Sequence, residues 1–145
     1  RTDMKKDTSS DDKSNYKRVK VGDIAYNSMR MWQGASGYSN YNGIVSPAYT
    51  VLIPKKNIDS QFFAYLFKTN FMIYQFKKYS QGLTSDTWNL KYPLLKEIKV
   101  KIPSLDQQKR IVEFFTKIDL YINLQKKRLD ILKNQKKGFM QQMFI

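Results

Sequence analysis

The chain of 145 residues contains no cysteine and no histidine. Without cysteine it can form neither a disulfide framework nor a thiolate zinc site. Without histidine it lacks the commonest general base, the commonest metal ligand and every Ser-His or Cys-His catalytic pair. The missing thiols fit a reducing compartment, and we expect a cytoplasmic protein. The composition therefore favours binding over catalysis.

Long apolar runs are also missing, because no stretch approaches the roughly 18 residues that span a membrane. Residues 1–14 are polar and lack an apolar segment, so we expect no signal peptide there. The chain begins with Arg rather than Met, and we expect a fragment that starts within a domain. Hydrophobic residues make up 41% and aromatics 14%, which is enough for a packed core.

Acidic residues are scarce relative to basic ones. Lys and Arg number 26 against 12 Asp and Glu, which gives a formal net charge of +14. Such an excess favours a polyanionic partner, and nucleic acid is the first expectation. An anionic membrane surface is the second, although we expect no membrane partner because the basic residues run along the whole chain. Phosphate attraction is expected from a set of exposed lysines: Lys77, Lys78, Lys91, Lys96, Lys99 and Lys101.

Sequence motifs for catalysis are equally scarce. Neither a Walker-type nor a dinucleotide-binding glycine loop can be found. Asp86, followed by Glu97 and Lys99, could hold Mg²⁺ in a small nuclease. The favoured interpretation is a solvated surface, because Glu-x-Lys is common on amphipathic segments. We therefore expect no catalytic residue, no metal site and no cofactor in this chain.

Mixed strand and helix patterns up to Pro103 predict an α+β domain over residues 1–103. Strands are indicated within Val19–Asn27 on both sides of a turn, over Ile44–Ile53, and over Lys99–Ile102. Helices are indicated after Asp59 as N-cap, over Phe71–Ser80 beyond a break at Thr69-Asn70, and for one turn at Tyr92–Lys96. Arg1–Asn15 and Ser28–Gly43 are expected to be loops.

A single long helix is predicted over residues 104–145. Ser104 and Gln107 form a capping box, and no Gly or Pro follows until Gly138. Beyond this cap, apolar residues alternate steps of three and four, which is the heptad spacing of a coiled coil, with polar seam positions at Gln125 and Lys136. We expect the helix to pair in antiparallel fashion, with a homodimer as one option, through Ile111, Phe115, Ile118, Ile122, Leu129 and Leu132. The alternative is a helix folded back on its own domain.

Two loops carry side chains suited to reading DNA. Arg can donate two hydrogen bonds to guanine, Gln and Asn can pair with adenine, and Tyr can stack or pack on sugar. The first loop, Ser28–Gly43, contributes Arg30, Gln33, Tyr38, Asn40, Tyr41 and Asn42. The second, Ser80–Lys91, contributes Ser85, Thr87, Asn89 and Lys91. Ser85, Thr87 and Asn89 alternate and would share one face in a strand. Ordinary turn chemistry remains the competing interpretation of both loops, and core packing is favoured for Trp32.

These patterns converge on a known family. The run from Pro103 to Ile111, with Phe115, Ile118-Asp119, Ile122 and the later leucines, resembles the helical region of type I restriction-modification specificity subunits. Gln107-Gln108 replaces that family's acidic-Gln pair, and Met140-Gln-Gln-Met-Phe144 its terminal Leu-Gln-x-Leu-Phe. Upstream, Val21–Asn27 and Gly43–Tyr49 resemble the family's target-recognition domain. The resemblance covers nearly the whole chain.

The resemblance implies a non-catalytic subunit that reads one half of a split double-stranded DNA target. Residues 1–103 would be a partial target-recognition domain and residues 104–145 the spacer helix. Modification subunits, which methylate adenine with S-adenosylmethionine, would dock on the helices, and a nuclease-translocase subunit would complete the restriction complex. Two alternatives stay open: a basic coiled-coil adaptor for nucleic acid, and the small Mg²⁺ nuclease.

Overall fold

The structure is a computed structural model that describes residues 12–144, so most of the loop expected at Arg1–Asn15 lies outside the described residues. Its backbone divides into two units, Arg1–Gln108 and Lys109–Ile145, which are described separately here. The strands of the first unit are β1 Lys17–Val19, β2 Ile24–Asn27, β3 Ser36–Tyr38, β4 Gly43–Val45 and β5 Tyr49–Leu52. The helices are α1 Ser60–Leu66, α2 Asn70–Tyr79, α3 Tyr92–Leu95 and α4 Leu105–Met143, of which α4 continues into the second unit.

Two small antiparallel sheets form the β part of the fold. Strand β2 lies at the centre of a three-stranded sheet of order β3-β2-β5. It pairs Ile24 with Tyr38 of β3 and with Leu52 of β5. Strands β1 and β4 form a separate two-stranded sheet. The mixed α+β prediction is therefore confirmed for the described part of the chain.

Three details of the strand prediction are wrong. The single strand expected over Ile44–Ile53 is divided into β4 and β5, because Pro47 lies in a turn and lacks the N–H that a ladder requires. The expected loop Ser28–Gly43 contains β3 and a 3-10 turn, Met31–Gln33. Lys99–Ile102 forms no strand. Its neighbour Ile98 and its own Val100 pack against the core without pairing, whereas Ile102 is exposed.

The predicted cap at Asp59 and the predicted break at Thr69-Asn70 are both confirmed. The Asp59 carboxylate accepts hydrogen bonds from the backbone N–H groups of Gln61 and Phe62 at the start of α1. The Thr69 hydroxyl accepts from Met72 N–H at the start of α2, which explains the break between the two helices. Between them, Lys68 donates to the backbone carbonyls of Gly34 and Ser36, and burial lowers the pKa of its ammonium. Lys68 thereby ties the helical hairpin to the start of β3.

The core lies between the three-stranded sheet and the helices. Its members are buried and mostly aromatic or aliphatic: Ile24, Tyr26, Met31, Phe67, Met72, Phe76, Leu90 and Leu95. Phe67, which follows α1, and Phe76 of α2 meet edge to face, with ring centroids 5.4 Å apart. Met31 is fully buried, which fixes the otherwise exposed segment after β2 to the core. The segment that follows β2 is therefore attached to the core through Met31.

The long helix α4 begins at Leu105, one residue after the predicted cap. The Ser104 hydroxyl accepts a hydrogen bond from Gln107 N–H at 3.4 Å. The helix continues for 39 residues, which corresponds to about 60 Å at 1.5 Å per residue. The prediction of one unbroken helix is confirmed. In the second unit, Lys117 and Glu113 form an exposed i,i+4 ion pair, whose stabilising effect is small.

Candidate nucleic-acid interface

Two loops that are far apart in sequence form one surface at the end of β2. The rings of Trp32 and Trp88 meet edge to face, with centroids 5.3 Å apart and an interplanar angle of 76°. Leu90 N–H donates to the carbonyl of Ser28 at 2.9 Å. Trp32 Nε1 donates to the carbonyl of Met29, so its ring orientation is fixed. We call residues 28–34 and 81–91 the paired-loop surface.

The first loop presents its two polar candidates side by side. Arg30 and Gln33 are both exposed, and Arg30 Nη1 donates to Gln33 Oε1 at 3.1 Å. A guanidinium has five N–H donors, so this contact leaves most of them available, together with the Gln33 amide nitrogen. Gly34 closes the turn in the left-handed region, at φ 81°. The structure therefore places an amide donor beside a cation on one rim of the paired-loop surface.

The second loop is folded more tightly than a strand. Backbone hydrogen bonds in both directions join Gln81 and Asn89, and between them Ser85–Thr87 forms a 3-10 turn. The shared face predicted for Ser85, Thr87 and Asn89 is therefore wrong, because a 3-10 turn does not alternate its side chains. The Thr87 hydroxyl donates to the Thr84 carbonyl, which stabilises the turn. Ser85 is exposed, whereas Asn89 is half-buried.

The remaining candidates of the first loop lie at the other end of β2. Tyr38 pairs with Ile24 at the start of that strand, whereas the paired-loop surface follows its last residue. Asn42 Oδ1 accepts from the backbone N–H of Val21 at 2.9 Å, so this amide closes a turn. Asn40 and Tyr41 are exposed in the same connection. The structure does not gather these four side chains with Arg30 and Gln33.

Asn89 and Lys91 of the paired-loop surface also line a polar cleft at its edge. Other polar residues of this cleft, Lys17, Ser28 and Thr50, come from β1, the end of β2 and β5, and the sequence did not single them out. Each is an ordinary residue in a strand pattern, and only the pairing of β2 with β5 brings Ser28 and Thr50 together. Their hydroxyl oxygens lie 2.9 Å apart.

The second unit exposes the side chains predicted to pair. Exposed fractions along this face range from 37% for Ile118 to 54% for Leu132, which is high for aliphatic side chains. Ile111 is half-buried. A neighbouring stripe is also apolar and exposed, and it contains Phe114, Tyr121, Leu124 and Ile131. Pairing itself stays a prediction, because a single chain shows the face and not its partner.

Residues 12–144 contain no group of three or more acidic, histidine or cysteine side chains arranged to hold a metal ion. Over the same residues, no helix is both long enough and apolar enough to cross a membrane. Asp86 lies in the 3-10 turn of the second loop, and Glu97 follows the end of α3.

Comparison with known proteins identifies the class. Residues 5–134 match the model of the type I restriction modification DNA specificity domain. This match covers most of the chain, both the recognition-like unit and most of α4. The chain belongs to the type I restriction-modification specificity family, as the sequence resemblance predicted.

Two archaeal proteins illustrate the relationship. The chain is 36% identical over 81 residues to the type I restriction enzyme MjaIX specificity subunit of Methanocaldococcus jannaschii, a match over 56% of this chain and 18% of the relative. It is 25% identical over 135 residues to the putative type I restriction enzyme MjaX specificity subunit of the same organism. That match covers 88% of this chain and 31% of the relative. The chain thus spans less than a third of either relative.

Proposed function

We propose that this chain selects the DNA sequence on which a type I restriction-modification complex acts. It reads one half of a split double-stranded target and performs no chemistry itself. Adenine methylation with S-adenosylmethionine belongs to modification subunits that dock beside it, and cleavage belongs to a nuclease-translocase subunit. The setting is the cytoplasm. Family membership supports the general role in DNA specificity, and the paired-loop surface supports the finer proposal that the chain reads a half-site.

The contact between Trp32 and Trp88 is the observation that supports half-site reading best. It turns two separate loops into one surface whose backbone is fixed by the core below. Arg30 and Gln33 supply donors suited to base edges, and such pairs discriminate by about 1–3 kcal/mol against the wrong base. The net charge of +14 supplies the attraction to phosphate that is common to all sequences. Specific and non-specific terms thus reside in different residues.

The exposed face of α4 supports assembly with further helices. A lone helix with this many exposed aliphatic residues would associate, because soluble proteins seldom leave such faces uncovered. Heptad spacing suits an antiparallel partner, which can be the same helix of a second copy. The neighbouring stripe that contains Phe114 and Tyr121 offers a second contact for a modification subunit.

Selection from a randomised duplex library tests the role directly. The purified chain, alone and with modification subunits, is incubated with the library at fixed salt, and the bound duplexes are sequenced. Enrichment of one short half-site is the expected result. Equal recovery of all duplexes, or preferential capture of RNA, would instead favour a basic coiled-coil adaptor. Metal-dependent cleavage by the isolated chain would favour the nuclease.

A further inference from the structure

The polar cleft at the edge of the paired-loop surface has a volume of about 440 Å³. It lies between the turn that precedes β5 and the segment that follows the second loop. Its polar lining consists of hydroxyl, amide and ammonium groups: Lys17, Ser28, Thr50, Asn89, Lys91 and Tyr92. None of the described residues that line it is acidic. The cleft is therefore rich in hydrogen-bond donors and carries two positive charges.

Lys17 is held in position at the cleft by its own fold. Its ammonium donates to the carbonyl of Tyr49 at 2.7 Å, which uses one of three N–H donors. Two donors remain for a ligand. Lys91 lies on the other wall, in the segment after Asn89, so the two cations come from opposite ends of the domain sequence. An arrangement that converges from such distant segments is a property of the fold and not of a lysine-rich run.

Two buried polar groups lie near the residues of this cleft. Tyr26 is fully buried and does not line the cleft, and its hydroxyl is close to those of Thr50 and Ser28. Burial raises the pKa of Tyr26, and the nearby hydroxyls of Thr50 and Ser28 oppose that shift. Asn89 does line the cleft, and its buried Oδ1 has no partner in the described structure. That oxygen is an acceptor, so a donor such as water suits it, whereas a phosphate would be held by the donors of the cleft.

We propose that this cleft binds a phosphodiester group of the DNA backbone, with Lys17 and Lys91 as its two cationic contacts. The inference rests on the proposed function, which supplies the polyanion. Phosphate oxygens accept hydrogen bonds only, so they match a cleft with many donors and no carboxylate. The Ser28–Thr50 hydroxyl pair completes the donor set.

Such an anchor determines where the neighbouring loops meet the bases. Phosphate contacts fix the register and orientation of a protein on a duplex, whereas base contacts choose the sequence. Leu90 N–H joins the wall of the cleft to Ser28, so a phosphate held there is mechanically connected to Trp32 and Trp88. We therefore assign Lys17 and Lys91 to positioning, and Arg30 and Gln33 to sequence choice.

Binding of the full chain to a single duplex at several salt concentrations tests the assignment. Lys17→Ala and Lys91→Ala are each expected to weaken binding about tenfold, as loss of a charge-assisted hydrogen bond does. Each should also reduce the slope of log K against log salt by about one. Lys127→Ala removes the same charge from exposed α4 and is the matched control. Equal effects of all three variants would overturn the assignment, because net charge alone would then explain them.

A duplex with one neutral methylphosphonate identifies the phosphate source. Moved along the strand, the modification should weaken wild-type binding at one position and add no further loss in Lys17→Ala or Lys91→Ala. We expect inorganic phosphate to block binding no better than sodium chloride does at equal ionic strength. A specific block by inorganic phosphate, or no such position, would overturn the phosphodiester assignment. Urea midpoints confirm folding, and Lys17→Arg should retain binding. Failure of wild type to bind any duplex would instead refute the proposed function.

Discussion

Gln108 accepts a hydrogen bond from the backbone N–H of Asp59 through its side-chain Oε1, at 2.8 Å. Its amide nitrogen donates to the carbonyls of Asn57 and Pro103, and only 1% of the residue is exposed. One buried amide thus joins the first turn of α4 to the loop that caps α1. Asn57 lies in the left-handed region, at φ 64°, which is uncommon for residues other than glycine, and the hydrogen bond to its carbonyl stabilises this loop.

Gln108→Ala should lower the free energy of unfolding of the first unit by about 3 kcal/mol. Removal of the amide leaves buried backbone groups unsatisfied, and each such group costs about 1–3 kcal/mol. Gln107→Ala, on the next residue and exposed, should change it by less than about 0.5 kcal/mol. Urea unfolding followed by Trp fluorescence measures both. Similar midpoints for the two variants would show that the amide does not hold these segments.

Gly82→Ala should destabilise the second loop by about 2 kcal/mol. Gly82 has φ +143°, and an added Cβ would lie 2.6 Å from the Thr87 carbonyl oxygen. Gly138→Ala is the control, because its Cβ would meet nothing within 4 Å and Ala favours helix by about 1 kcal/mol. Near-ultraviolet circular dichroism of Trp88 measures the effect of Gly82→Ala, and far-ultraviolet circular dichroism measures the helix content of Gly138→Ala. An unchanged Trp88 signal in Gly82→Ala would mean that the turn adapts without strain.

The contact between Trp32 and Trp88 should appear as energetic coupling. In a double-mutant cycle of Trp32→Ala and Trp88→Ala, we expect a coupling free energy of about 1 kcal/mol, typical of edge-to-face aromatic pairs. Urea unfolding of the two single variants and the double variant gives the value. Strictly additive changes in the free energy of unfolding would indicate that the two loops are adjacent but do not stabilise each other through this contact.

Exposed apolar residues of α4 should drive self-association. Ile118→Asp places a charge in the predicted seam and should shift light-scattering mass towards one chain. Asn134→Asp, on the opposite side of the heptad pattern, adds the same charge and should leave the mass unchanged. A wild-type chain that stays monomeric at high concentration would refute pairing between copies. Pairing with another subunit would then be tested separately by pull-down.

The sequence predicted the long helix, the cap at Asp59, the break at Thr69-Asn70 and the mixed fold, because these depend on local spacing and local hydrogen bonds. The division of Ile44–Ile53 was missed, although Pro47 is a local signal against an unbroken strand. The contact of Trp32 with Trp88 could not be predicted, because it joins loops more than fifty residues apart. Lys17, Ser28 and Thr50 carry no motif. Only their three-dimensional convergence makes them candidates.

Methylation-site sequencing of DNA from cells that co-express this chain with modification subunits tests the central claim most directly. We predict one split target in the wild-type system. Arg30→Ala and Gln33→Ala should alter or relax one half of it, because base-edge contacts are lost. Lys17→Ala should lower methylation without changing the sequence. If Arg30→Ala and Gln33→Ala both keep the wild-type half-site and its stringency, the paired-loop surface does not read the DNA.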